Sequence, residues 1–280
     1  MNHSNSPERR NGPVASAMRV LAANFVAELQ QRSRKLVDFL DVRMEALIVG
    51  WIAVVVLLGF AKLATSPLPL HGFSGAMVTL LPYLLIAFAP IAGYRVAAGS
   101  FPRGLLSAQP AIRLCRYGSW QPVDPVAARQ NGAFGPTGFM ASLLAGILLN
   151  VPFRSFEFIL AVPAIAPAAP AWAHSLMIAM TIDVVVMNFF YMVCFVMALR
   201  SVPLFPRMLL FAWCVDIGMQ FMIAGMVSKS AGLPQPVASL LLNLLHGNLD
   251  KVLISAAVWL PYLLLSERVN VTFRHRIRQA

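Results

Sequence analysis

Two aspartates lie inside long apolar runs, where an ionisable side chain is costly and therefore marks a candidate functional site. Asp183 and Asp216 each stand among Val, Met, Ile and Phe, in runs separated by only six residues. Two such runs must form an antiparallel helical hairpin. Gln220 follows Asp216 by one helical turn, and counting along the hairpin places Asn188 near the depth of Asp216 and Asp183 near that of Gln220. The sequence thus predicts two facing polar pairs inside the hairpin.

This candidate intramembrane polar site supports two interpretations. If Asp183 and Asp216 face water, carboxylates that change protonation state would serve a proton- or cation-coupled pathway. If the contact is dry, a protonated Asp and an amide would join two helices by hydrogen bonds worth about 0.6–2 kcal/mol. The sequence shows no inverted repeat and no matching half-helices broken by Gly, which are typical of transporters. The structural interpretation is therefore favoured.

Enzyme and cofactor motifs are missing from the sequence. It contains no GxxxxGK[ST], HExxH, GxSxG or GxGxxG pattern. The three cysteines, Cys115, Cys194 and Cys214, have neither the CxxC nor the His spacing of a metal site. We therefore expect no catalytic residues, no metal and no cofactor.

The composition explains why those aspartates would lie in lipid. Hydrophobic residues make up 59% of the 280 residues and charged residues only 12%, whereas a soluble protein has about a quarter charged residues. A chain of this size cannot bury so much apolar surface in its own core. The net charge of +11 is expected to meet anionic lipid headgroups, and no nucleic acid, because the basic residues form no stripe on a soluble domain.

The predicted fold class is all-α, a polytopic transmembrane helical bundle of six spans, because six apolar runs approach the 20 or so residues that a bilayer requires. The runs are Ala46–Ala64, Ala76–Tyr94, Phe134–Phe153, His174–Leu199, Pro206–Val227 and Leu249–Leu265. Between them, residues 99–132 are predicted as an Arg- and Pro-rich loop, and residues 154–170 as an extended connector or short surface helix. Residues 237–246 are interpreted as a helix lying in the outer interface.

The basic residues predict the orientation, since Lys and Arg in short loops are retained in the cytoplasm. With six spans and both termini cytoplasmic, 18 of the 22 Lys and Arg lie on the inner side. Only Lys62, Arg154, Lys229 and Lys251 are placed at outer ends. The predicted location is a bacterial inner membrane, with the protein inserted as a multi-pass chain.

The N-terminal tail is predicted to form a helix of its own before the first span. Its apolar residues recur at helical spacing: Met18, Leu21, Phe25, Leu29, Leu36, Leu40 and Met44. An amphipathic helix on the inner leaflet is the favoured interpretation, and a soluble interaction helix or coiled coil is the alternative.

The C-terminal end resembles a known family. Its residues Trp259, Pro261, Tyr262, Ser266, Arg268, Val269, Thr272 and Phe273 follow a Trp-x-Pro-Tyr, Ser-x-Arg-Val, Thr-Phe pattern. This pattern is similar to the closing signature of the bacterial membrane family called domain of unknown function 2569, and Phe205-Pro206-Arg207 is similar to that family's entry to its third helix. The resemblance covers about residues 132–273 and implies no activity, substrate or cofactor. By itself, the signature is typical of a packing and anchoring element, with an inner gate or a docking patch as the functional alternative.

The sequence therefore predicts five segments: a tail (1–45), a two-span module (46–98), the Arg- and Pro-rich loop (99–132), a four-span module (133–273) and a basic tail (274–280). The favoured function is that of a non-enzymatic accessory or scaffold protein. The alternative is a small proton- or cation-coupled transporter or channel subunit using Asp183 and Asp216. Partners other than lipid would be another membrane protein or a second copy of the chain.

Overall fold

The structure, a computed structural model, describes residues 13–64, 72–104, 108–110, 118–162, 165 and 169–279. In these residues it is helical apart from loops and one pair of short strands. The elements in chain order are α1 (Pro13–Ala64), α2 (Gly72–Ser100), β1 (Trp120–Pro122), α3 (Pro125–Gln130), α4 (Phe139–Ala161), α5 (Ala171–Leu199), α6 (Phe205–Lys229), α7 (Gln235–Leu265), α8 (Glu267–Arg274) and β2 (Arg276–Arg278).

Six of these helices are long and apolar enough to cross a membrane, which confirms the all-α class and the number of candidate spans. The qualifying stretches lie in α1, α2, α4, α5, α6 and α7 and are 22 to 36 residues long. Each exceeds the 20 or so residues that a hydrocarbon core of about 30 Å requires.

The prediction of a connector at residues 154–170 is wrong for residues 154–161, which are helical. Helix α4 does not stop at Phe153 but continues to Ala161, with Pro152 inside it and Arg154 buried. Proline is tolerated within a helix in an apolar bundle because neighbouring groups can satisfy the freed carbonyl. The polar residues that follow Pro152 therefore belong to the helix.

The prediction of a separate interfacial helix at residues 237–246 is also wrong. These residues are the first part of α7, which starts at Gln235 and runs unbroken to Leu265. Asn243 and His246 interrupt the apolar run without interrupting the backbone hydrogen bonds, and Leu245 is buried against the bundle. Side-chain polarity alone does not end a helix.

The N-terminal tail and the first span form one helix. Helix α1 passes without interruption from the tail into the run that begins at Ala46. Leu40 and Met44, predicted on the apolar face of the tail, are buried in the core, whereas Leu21 and Phe25 are exposed. The tail helix is thus divided into an exposed part and a part that packs on the bundle, and the side chain of Met18 lies outside the described set.

Helix α5 is the centre of the bundle and packs against α2, α4 and α6. Its side chains from Tyr191 to Ala198 are all buried. Gly93 of α2 permits a close approach, because a Cβ at that position would lie 2.5 Å from the backbone oxygen of Phe189. Any larger residue there would force α2 away from α5.

One end of the bundle carries a small polar assembly. The segment between α2 and α4 contains β1 and α3, and β1 pairs in antiparallel register with β2 near the C-terminus, Gln121 opposite Ile277. The predicted Arg- and Pro-rich loop and the basic tail therefore lie together.

We expect cysteine labelling to report the orientation of this end. In a variant whose three native cysteines are replaced by alanine, Ser119→Cys, next to β1, should react with an impermeant maleimide only after the inner face of the membrane is made accessible. Ala231→Cys, in the exposed turn between α6 and α7, should react from outside. Both sites should label fully in detergent. Labelling of both from one side of intact cells would refute the alternation of spans that the six helices require.

Candidate functional site

A buried triad of charged side chains lies between helices α4, α5 and α6. The guanidinium of Arg154 lies between the carboxylates of Asp183 and Asp216. Its Nη2 donates to Asp183 Oδ2 at 2.7 Å and to Asp216 Oδ1 at 2.8 Å, and its Nη1 donates to Asp216 Oδ2 at 2.8 Å. The side chains are 8%, 6% and 0% exposed, respectively. One cation thus ties together two anions from two other helices.

Two neutral side chains donate further hydrogen bonds to the carboxylates of the triad. The Gln220 amide donates to Asp183 at 3.2 Å and to Asp216 at 3.3 Å, and the Tyr191 hydroxyl donates to Asp216 Oδ2 at 2.8 Å. With the contacts of Arg154, each of the four carboxylate oxygens lies within hydrogen-bond distance of two donor atoms. Arg154 Nη2 and Gln220 Nε2 each share two hydrogens among three oxygens. Buried charges are tolerated only when they are paired and hydrogen-bonded in this way.

Asp183 lies against Gln220, as predicted from the sequence, but Asn188 lies against Ser155 and not against Asp216. The Asn188 amide donates to Ser155 Oγ at 2.8 Å, and that hydroxyl donates in turn to the backbone oxygen of Val151. Ser155 follows Arg154 on α4, so this contact forms a second polar link between α4 and α5. The place predicted for Asn188 beside Asp216 is filled by Tyr191 and Arg154.

Arg154, the cation of the triad, is the site residue that the sequence prediction missed. The run of positions Met140, Leu144, Ile147, Val151, Arg154 and Phe158 alternates steps of four and three, which is the spacing of one helical face, and all six are buried. Arg154 therefore occupies an apolar stripe that continues past Pro152. This spacing, together with two acids without a predicted cation in the neighbouring spans, could have predicted that Arg154 is buried. Arg154 therefore no longer belongs to the basic residues assigned to the outer ends of the spans.

The triad borders a cavity of about 500 Å³ between α4, α6 and α7. Arg154, Tyr191 and Asp216 are among its lining residues. So are Glu157 and Lys251, which form an exposed ion pair between α4 and α7. Helix α7 buries few of its own side chains, so this side of the triad is the less densely packed one.

The charges of the triad do not sum to zero. With all three groups ionised, Arg154 contributes one positive charge and the two aspartates two negative charges, leaving one excess negative charge. Two buried polar atoms of the cluster, Arg154 Nε and Gln220 Oε1, have no hydrogen-bond partner among the described residues. The Gln220 amide can therefore reverse and accept a hydrogen bond if a neighbouring carboxylate becomes a donor.

The C-terminal signature residues form a different cluster, at the end of the bundle near the start of α4. Phe139 packs at a tilt against Trp259 at 4.8 Å and edge-to-face against Tyr262 at 5.1 Å between ring centroids. Phe273 packs on Phe205, the first residue of α6, at 5.0 Å. Pro261 lies inside α7, Ser266 separates α7 from α8, and Val269 is fully buried.

Arg268 and Thr272 fix the turn that leads into α4. Arg268 donates to Thr137 Oγ1 at 2.7 Å, and the Thr272 hydroxyl accepts from the Gly135 backbone at 3.0 Å. Gly135 has a φ of 97°, which favours glycine. Partial burial lowers the pKa of Arg268. These two residues hold the chain against itself, and Thr272 and Phe273 are buried.

Comparison with known proteins returned no matching family model, no matching curated protein and no matching solved structure. The resemblance to domain of unknown function 2569 therefore stays a prediction. Among the described residues, no group of three or more His, Cys, Asp or Glu side chains is arranged to hold a metal ion.

Substitutions that remove one or more charges of the triad should change the free energy of unfolding in a predictable order. Asp183→Asn and Asp216→Asn should each cost no more than about 1 kcal/mol of unfolding free energy, because one ion pair remains and Gln220 can reverse. The double Asn variant and Arg154→Met should each cost about 3–5 kcal/mol, because they leave buried charge uncompensated. Combining Arg154→Met with both Asn substitutions should recover much of that loss.

Reversible unfolding of the purified protein in mixed micelles would measure these differences. Glu157→Gln is the matched control, since it removes an exposed charge pair one helical turn away and should change stability by about 1 kcal/mol or less. Equal destabilisation by the double Asn and the triple variant would contradict the charge-count account.

Proposed function

We propose that this chain is a non-enzymatic, multi-pass protein of a bacterial inner membrane that serves as an accessory or scaffold subunit. The observation that carries the proposal is that the protein itself engages both buried carboxylates. Each of their four oxygens is contacted by two donor atoms from Arg154, Gln220 and Tyr191. A substrate or ion would have to break internal bonds to bind there, so the triad is suited to holding α4, α5 and α6 in register.

The N-terminal part of α1 supports a scaffolding role. Helix α1 has 52 residues, a length of about 78 Å, which is more than twice the thickness of a hydrocarbon core. In residues 20–32, all described side chains except Gln30 are exposed, including Leu21 and Phe25. An exposed helix with apolar side chains, attached to a packed bundle, offers a surface to a protein partner or to the membrane surface.

A proton- or cation-coupled transporter is the second candidate, favoured by two observations. The triad has one excess negative charge when fully ionised, so it reaches neutrality by taking up one proton or one cation. The cavity of about 500 Å³ brings open space to Arg154, Tyr191 and Asp216. Intramembrane carboxylates next to such a cavity are typical of proton pathways.

Flux through the purified protein distinguishes the two candidates. We expect wild-type proteoliposomes with an imposed potassium diffusion potential to move no more protons than empty vesicles, as reported by an internal pH-sensitive dye. Asp216→Asn and Asp183→Asn should behave identically to wild type. A wild-type flux that Asp216→Asn abolishes while Glu157→Gln retains it, with both variants folded, would replace the scaffold proposal by the transporter.

A further inference from the structure

The cavity beside the triad lies between two contacts that join α4 to α7. At one end Phe139 packs against Trp259, and at the other end Glu157 pairs with Lys251. Between these contacts the cavity follows α4 from Leu143 to Glu157, a length of about 21 Å. Its volume of about 500 Å³ is within the range of small-molecule sites. Because the ion pair is partly exposed, that end of the cavity reaches the surface of the bundle.

The charges around this cavity sum to one negative charge. Its described lining residues include two cations, Arg154 and Lys251, and two anions, Glu157 and Asp216, which cancel. Asp183 is not among the lining residues, but it accepts from the same guanidinium at 2.7 Å. It therefore adds a negative charge directly behind the wall of the cavity. An excess charge in such a buried place is costly, and a positive charge nearby reduces that cost.

The uncharged part of the walls suits a cation with an apolar body. Four aromatic residues are among the described lining residues: Phe153, Tyr191, Trp213 and Trp259. Aromatic rings attract cations, and quaternary ammonium groups are recognised in this way. Asn150 of α4 and Ser255 of α7 also line the cavity and have no hydrogen-bond partner among the described residues. Their oxygens can accept hydrogen bonds from an ammonium group.

We propose that this cavity binds one organic monocation with apolar or aromatic substituents. Its charge offsets the excess negative charge of the triad, and its body packs against the aromatic and apolar walls. The ligand acts through its electric field, so it breaks none of the hydrogen bonds that Arg154, Gln220 and Tyr191 make to the carboxylates.

Other classes of ligand are less complementary to the cavity. An anion of the same shape would add to the excess negative charge, and a neutral molecule would leave it in place. A metal ion would need several oxygen ligands, whereas the carboxylate oxygens are already engaged within the triad. Binding of an organic cation is compatible with a scaffold and with a transporter. Because it is measured at equilibrium and without flux, it stands or falls separately from the function proposed above.

Two ions of matched shape and opposite charge test this assignment. Purified full-length protein in a neutral detergent would be dialysed to equilibrium with tetraphenylphosphonium or with tetraphenylborate, and uptake by empty micelles would be subtracted. We expect one tetraphenylphosphonium per chain, bound at least about tenfold more tightly than tetraphenylborate. Equal or tighter binding of tetraphenylborate would overturn the proposal. So would the absence of tetraphenylphosphonium binding, which would leave a proton as the charge that neutralises the triad.

Substitutions of single charges should change the affinity for tetraphenylphosphonium with opposite signs. Asp183→Asn removes the excess charge without altering a lining residue and should weaken binding about tenfold, the effect of a unit charge at about 10 Å and an effective dielectric constant of about 20. Glu157→Gln should weaken binding and Lys251→Gln should strengthen it, each by about threefold or less because solvent screens these positions. The double Glu157→Gln, Lys251→Gln variant should bind as the wild type does. Unchanged affinity in Asp183→Asn would refute attraction by the triad.

A change of shape without a change of charge tests the location. Ser255→Trp fills the cavity from α7 and should abolish tight binding. Ala257→Trp is the matched control, because Ala257 is exposed on the same helix and is not among the lining residues; it should leave the affinity unchanged. Circular dichroism and a single gel-filtration peak would verify the folding of each variant. Tight binding retained by folded Ser255→Trp protein would place the cation elsewhere and contradict the assignment.

Discussion

The pairing of Arg154 with Asp183 and Asp216 is the constraint on which the rest of the bundle depends. A single guanidinium can bridge two carboxylates only if all three groups lie at the same level along the bundle, and bonds of 2.7–2.9 Å allow little error. Burying any of them alone would be strongly unfavourable. The triad therefore fixes the vertical register of α4, α5 and α6, which apolar contacts among Leu, Val and Met side chains would leave free to slide.

Several features of the fold follow from this register. Helix α4 has to continue past Pro152 in order to carry Arg154 into the bundle, and Ser155 then meets Asn188 as a second link. Helix α5 supplies groups to both links and is consequently the central helix. Helix α7 contributes nothing to the triad. It packs mainly along α6, and the space that remains beside α4 is the cavity that borders Asp216.

The C-terminal residues serve the opposite end of α4. Arg268 and Thr272 hold the glycine turn that precedes this helix, and Phe139 at its start packs on Trp259 and Tyr262. Helix α4 is therefore anchored at its entry by aromatic and hydrogen-bonding contacts and in its interior by charge. The same C-terminal segment continues into β2, which pairs with β1, so one short stretch of chain both anchors α4 and closes this end of the bundle.

The sequence alone determined the number and approximate positions of the six apolar helices, because hydrocarbon thickness sets a length that can be counted in residues. It also singled out Asp183, Asp216 and Gln220, because polar side chains in apolar runs stand out locally. It did not yield Arg154 as their partner: after Pro152, an arginine is typical of a helix end, and only the two acids from other helices make its burial favourable. The start of α7 at Gln235 and the hydrogen bond from Arg268 to Thr137 could not be predicted from the sequence for the same reason. Whether a polar residue ends a helix or enters the core depends on partners distant in sequence, and only the tertiary structure brings those partners together.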